Sequence, residues 1–132
     1  MIFRISVNEG KKFSSLSGDT NQIHLDDLTG YNSIFGEKIC HGCLVILKVF
    51  KIIKLNKIIN DINEYSIKII FFKHFSYNSN IEIRFNKKLN LIKIFQKNIL
   101  RAELKIEKKN NLSNINLKSK KHIININKKS SY

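Results

Sequence analysis

FSSLSGDTNQIHLDDLTGYNSIFGEKICHGCLV, residues 13–45, is the stretch that decides how this chain reads. It holds Asp19, then His24 five residues later, then His41-Gly42 at the head of a long apolar run. Asp and His side chains can take and give protons, which general acid–base chemistry needs from groups that sit close together. On an ideal helix only residues three or four apart share a face. For Asp19 and His24 to reach one spot, the backbone between them must therefore leave the helical path. Gly18 makes such a turn cheap, because glycine tolerates positive φ. Asp19 is also placed to cap a short helix from Thr20, with Gln22 at its third position as in a capping box.

The second half of the constellation is His41-Gly42. From Cys43 the chain reads CLVILKVFKIIKL, apolar on nearly all sides, which predicts a buried helix. Its span is read as Gly42 to about Ile59, broken by Asn60 to Glu64. The first amides of a helix have no partner within it. They suit an oxyanion or a polarised carbonyl. Gly42 lacks a Cβ, so that such a carbonyl can approach the backbone closely.

These residues resemble the motif of the MaoC-like, R-specific enoyl-thioester hydratases, a family with the hot-dog fold. The family pattern is Ser-Gly-Asp-x-Asn-Pro-hydrophobic-His, then Phe-Gly, then a hydrophobic residue two before His-Gly. Here it stands as Ser17-Gly18-Asp19-Thr20-Asn21-Gln22-Ile23-His24, Phe35-Gly36 and Ile39-Cys40-His41-Gly42. Gln22 departs from the family, which usually has Pro there. The resemblance implies an α+β hot-dog fold, a curved antiparallel sheet wrapped around one long central helix. It implies reversible syn addition of water to a trans-2-enoyl thioester, with Asp19 and His24 gripping the water. Gly42 would polarise the thioester carbonyl, and Asn21 and His41 would support the loop. No metal or redox cofactor is implied, since coenzyme A or acyl-carrier phosphopantetheine arrives with the substrate. A homodimer is implied as well. Two alternatives stay open: a hot-dog thioesterase or non-catalytic acyl-thioester-binding module, and, from another class, a basic nucleic-acid-binding protein.

At 132 residues and 42% hydrophobic, the chain is long enough for one domain with a modest core. Lys48, Lys51 and Lys54 interrupt its longest apolar run, which falls short of a membrane span. MIFRISVNEG lacks the basic-then-apolar layout of a signal peptide, so the reading is a cytoplasmic protein. The net charge is +14. Charge alone speaks for non-specific association rather than for a fold. Lysines are scattered and no nucleic-acid motif accompanies them, while abundant Lys, Asn and Ile with no Pro indicate a compositional bias. Cys40-His41-Gly42-Cys43 has the C-x-x-C spacing of a redox pair or half a zinc site, but no second Cys pair follows. Two buried thiols at the start of a core helix are the expectation.

In chain order, Met1 to Val7 reads as a first strand and Asn8 to Lys12 as a turn. A short helix over Phe13 to Leu16 follows, then another helical turn or two from Ile23 to Leu28, ended by Gly30. After the long helix the period changes. Tyr65–Phe72, Asn80–Phe85, Leu91–Phe95 and Ile99–Ile106 read as strands, with Ile81, Ile83 and Phe85 alternating against Glu82 and Arg84. A helix followed by consecutive strands is an α+β layout. The domain is taken as residues 1–108. Residues 109–132 are a Lys, Asn and Ser-rich tail, poorly ordered by composition save for His122 to Ile126, a candidate edge strand. Asp26 and Asp27 read as solvated.

Overall fold

A computed structural model of the chain describes residues 1–56, 65–109 and 124–127. Strand β1 is only Ile2–Phe3, because a helix starts sooner than its sequence suggests. Helix α1 (Val7–Ser17) opens on a capping box. The Ser6 hydroxyl accepts from the Glu9 amide and the Glu9 carboxylate accepts from the Ser6 amide, both at 3.2 Å. This pair turns the expected turn, Asn8 to Lys12, into helix. Gly10 lies inside it against the Tyr77 ring, where a Cβ would collide. Gly18 ends α1 in the left-handed region, φ 79°, its amide bonded to the Ser14 carbonyl at 3.0 Å.

A single 3-10 turn, Gln22–His24, and the short helix α2 (Asp27–Tyr31) follow. The cap of the turn is Asn21 rather than Asp19: its side chain accepts from the Ile23 amide at 3.1 Å. Asp26 caps α2 through the Thr29 amide and hydroxyl, at 2.9 and 2.7 Å. Those bonds hold its carboxyl below the usual range. Gly30 belongs to α2 rather than ending the segment before it.

The long helix α3 runs Gly42–Leu55. Positions 57–59 of its expected span, and the expected break at 60–64, lie outside the described residues. Val45, Ile46, Val49 and Ile53, three and four apart, form its buried face. That face packs on strands β2 (Tyr65–Phe71), β3 (Ile81–Asn86), β4 (Leu91–Gln96) and β5 (Ile99–Lys108). Alternate strand residues face it: Ile67, Ile69 and Phe71, Ile81 and Ile83, Ile92 and Ile94, Leu104 and Ile106. Each such side chain contributes roughly 1.5–3 kcal/mol by leaving water. The strands pair antiparallel, with Ile67 opposite Ile106 and Ile83 opposite Ile94. The order across the six-stranded sheet is β1-β3-β4-β5-β2-β6. Strand β6 (Ile124–Asn127) runs parallel to β2 at one edge, Ile124 opposite Ile67. His122, Ile123 and the rest of the tail from residue 110 lie outside the described residues.

The connection 72–80 between β2 and β3 is pinned down by side chains. Gln96, 1% exposed, takes the Ser76 amide at 2.7 Å and gives its own amide to the Ser76 carbonyl at 2.9 Å. Glu37 reaches the same connection, accepting the Ser76 hydroxyl at 3.0 Å and lying 3.3 Å from His74 Nε2. Cys40 is bonded to it through the Phe75 carbonyl at 2.8 Å. The segment that leads into α3 is thus clamped before the helix starts.

Gly30 shows how tightly that segment packs. A Cβ there would strike the Glu37–Lys38 peptide, which is backbone and cannot rotate aside. Alanine is favoured over glycine in a helix by about 1 kcal/mol. Overpacking costs about 1–3 kcal/mol, so Gly30→Ala is expected to lower the thermal midpoint despite its helix propensity. A stabilised Gly30→Ala protein in a thermal melt would contradict this packing.

Candidate active site

Asp19 and His24 come together although their spacing is not helical. The left-handed Gly18 turns the chain out of α1, and residues 19–21 follow as irregular backbone. The Asn21 amide donates to Asp19 Oδ1 at 3.3 Å, a local turn that aims the other carboxylate oxygen away. Asp19 Oδ2 then lies 3.8 Å from His24 Nε2. The Asp19 side chain is 50% exposed and that of His24 only 7%. One partner faces solvent and the other lies in the protein.

The orientation of His24 follows from its far edge. Nδ1 is 2.9 Å from the Ile39 carbonyl, which can only accept, so Nδ1 carries the proton. In the neutral ring Nε2, the nitrogen toward Asp19, is then the acceptor. Burial lowers the His24 pKa; the Ile39 bond and the Asp19 charge oppose that fall, while His41 adds to it. Ile39 is fixed in turn by its amide to the Ile23 carbonyl, 3.2 Å, and the Tyr77 hydroxyl donates to the His24 carbonyl at 3.0 Å. Burial also raises the Tyr77 pKa, with a smaller push from Cys40.

His41 stacks on His24, ring centroids 3.9 Å apart and planes at 24°. Its Nε2 is 3.0 Å from Ser14 Oγ and 3.2 Å from the Asp19 carbonyl. Gly42 begins α3 directly after it, and the first bond within that helix is Val45 N to the His41 carbonyl, 3.2 Å. The amides of Gly42 to Leu44 precede that bond, as expected of a helix start. Asn21, the expected loop brace, holds the 3-10 turn below His24.

The cysteines differ from expectation. Cys40 is buried, its thiol pushed up to about 12 by burial and then by the charges of Glu37 and Glu9, but Cys43 is exposed. The first turn of α3 shows its second residue to solvent, so only one thiol joins the core. Asp19, His24 and His41 each offer a ligand atom within 4.8 Å of the others.

Ser14, the Ile39 carbonyl and Tyr77 were not legible as site residues. Ser14 is one serine among several in α1, the Ile39 contribution is backbone, and Tyr77 acts from 53 positions away.

The long helix α3 laid on the antiparallel strands β1 to β5 defines the hot-dog fold. Solved structures bear out that assignment. An (R)-hydratase from A. caviae, involved in PHA biosynthesis, aligns with a TM-score of 0.59 at 18% identity, over 83% of this chain and 92% of its own. An R-hydratase from Pseudomonas aeruginosa gives 0.59 at 16%, over 83% and 79%. A MaoC-like dehydratase from Phytophthora capsici gives 0.63 at 16%, over 83% and 42%. No protein-family model matches the sequence, and no curated protein matches it at a significant level. The structural neighbours are thus MaoC-like dehydratases and (R)-hydratases, and the chain shares their fold. Among the described residues no helix is long and apolar enough to cross a membrane.

The lowered pKa of His24 has a consequence for stability. Burial favours its neutral form in the folded state, so the unfolded chain binds its proton more readily. Its contribution is complete above the unfolded value of about 6.5 and is lost as pH falls through the lower folded pKa. An NMR titration of His24 is expected to give a midpoint below that of an unfolded histidine, with stability declining over the same range. A midpoint at or above it would contradict the burial of this ring.

Proposed function

We propose that the protein is a hydro-lyase that adds water reversibly to a trans-2-enoyl thioester, forming an R-3-hydroxyacyl thioester. One observation carries the reading: Asp19 Oδ2 and His24 Nε2, two acceptors, face each other at 3.8 Å. That distance is too long for a direct hydrogen bond, and one water beside the pair can bridge both atoms. A water there gives one O–H to each. Asp19 draws its proton as the oxygen attacks C3. His24, holding its own proton on Nδ1, orients the water and has none on Nε2 to deliver. Asp19 is then the group that returns the proton to C2, on the same face. The Gly42 amide polarises the thioester carbonyl and stabilises the enolate-like charge. Coenzyme A or phosphopantetheine comes as part of the substrate, and no metal or redox cofactor enters this scheme. The likeness in fold to two (R)-hydratases and a MaoC-like dehydratase supports the same class of reaction. The proposed setting is the cytoplasm.

The test is hydration of a short trans-2-enoyl-CoA, followed by loss of the conjugated-thioester absorbance. Asp19→Asn keeps shape and hydrogen bonding but removes the base. It is expected to lose about a hundred- to ten-thousandfold in turnover. His24→Ala is expected to lose as much, and the double variant little more than either, because groups acting on one water are not additive. Asp26→Asn, on the exposed cap of α2, is the control and should keep its rate, since Asn caps as well as Asp. Wild-type rates in Asp19→Asn would overturn the assignment.

The same reading includes a homodimer. Strand edges at β1 and β6 would otherwise invite open-ended pairing. Light scattering at working concentration is expected to give twice the chain mass, and a monomer mass would refute it.

A further inference from the structure

His41 carries a buried nitrogen with no partner. Its Nε2 faces two oxygens, while Nδ1, shielded from solvent, has no hydrogen-bond partner among the described residues. The Asp19 carbonyl can only accept, so the Nε2 proton points to it, and the Ser14 hydroxyl oxygen shares that proton from 3.0 Å. Nδ1 is then a bare acceptor in the core. An unpaired buried polar atom is costly and asks for a reason. An apolar ring at residue 41 would avoid that cost and pack as well against Phe13, whose ring meets His41 edge-on at 4.9 Å. Stability alone does not explain the imidazole.

Its contacts supply the reason. Asp19 sits in irregular backbone, and the hydrogen bonds around it, Gly18 to Ser14, Asp19 to Ser17 and Asn21 to Asp19, are local. The His41 bond to the Asp19 carbonyl ties that segment to the head of α3. The face of the same ring lies against His24. One side chain therefore touches both members of the pair, and the same residue precedes Gly42. Ser14, 4% exposed, is the group behind it, a hydroxyl on the inner side of α1.

We propose that Ser14 and His41 are positioning residues: the Ser14 hydroxyl and the Asp19 carbonyl hold the edge of the His41 ring, and that ring sets the gap between Asp19 and His24. The inference rests on the hydratase reading for its catalytic consequence, but the geometric coupling stands apart from it. The titratable groups facing His24 are Asp19 on the 18–21 segment, His41 at the start of α3, and the Tyr77 hydroxyl at its carbonyl.

Two variants test this. His41→Phe keeps a ring between Phe13 and His24, deletes the bond to Asp19 and removes the orphaned nitrogen. Ser14→Ala deletes only the hydroxyl. With a short trans-2-enoyl-CoA, kcat of His41→Phe is expected to fall about ten- to a hundredfold, as a small misplacement of a reacting group does. Ser14→Ala should lose about threefold to tenfold, with KM in both changed less than about twofold. The thermal midpoint of Ser14→Ala should hold. In Ser14→Ala, which keeps the His41 ring, the NMR midpoint of His24 should fall, because a loosened ring lets Asp19, whose charge raises it, draw away from His24. A merely structural role predicts lower melting with kcat per folded molecule and the His24 titration unchanged, which would overturn the proposal. If His41→Phe does not fold, Ser14→Ala decides alone, and an unchanged kcat there refutes it. If the wild type hydrates no enoyl thioester, the hydratase reading fails. The His24 titration in Ser14→Ala, which needs no substrate, then decides the coupling: a lowered midpoint upholds it and an unchanged one refutes it.

Discussion

The hydrogen bond from His24 Nδ1 to the Ile39 carbonyl, 2.9 Å long, is the interaction on which the site depends. It joins the turn after α1 to the segment before α3, two pieces 15 residues apart. It also selects the tautomer, because a carbonyl leaves no choice of which nitrogen is protonated. Without it, Nε2 could be donor or acceptor, and the facing of two acceptors 3.8 Å apart would be one arrangement among several. Burial of the ring strengthens the choice by disfavouring the charged form.

That bond is only as rigid as Ile39. Here the fold contributes through a clamp built from residues far apart in sequence. Glu37 binds Ser76 and His74, Cys40 binds the Phe75 carbonyl, and Gln96 from β4 holds Ser76 from both sides. Gly30 lets the Glu37–Lys38 peptide come within touching distance of α2. Polar groups buried in this network are satisfied, which is what lets a polar segment lie inside a protein without unfolding it. The site is thus carried on loops, but on loops tied to the central strands of the sheet.

Much of this was legible in the chain. The Ser17–His24 motif, His41-Gly42 and the long apolar helix locate the two halves of the site and their order. The strand periods of Ile81 to Phe85 and Leu104 to Ile106 match β3 and β5. What misled was local chemistry of the first dozen residues. Asn8, Gly10 and two lysines look like a turn by composition. Ser6 and Glu9 nevertheless cap each other, and a capped start with a packed face outweighs the low propensity of Gly10. The cap of the 3-10 turn moved from Asp19 to Asn21 for a related reason. Once Gly18 takes a left-handed conformation, Asp19 lies before the turn, and its carboxylate is left for His24 instead of the backbone.

The sequence by itself determined which residue types are present, their spacing, and the periodicities that commit one segment to a buried helix and four to strands. Those follow from covalent order and the repeat of each regular structure, 3.6 or 2 residues. Only the tertiary structure decided which nitrogen of His24 faces Asp19, that the His41 ring stacks on it, and that Ser14 and Tyr77 belong to the site. Those facts depend on distances between segments brought together by packing α3 on the sheet, and no local pattern encodes a distance across the fold.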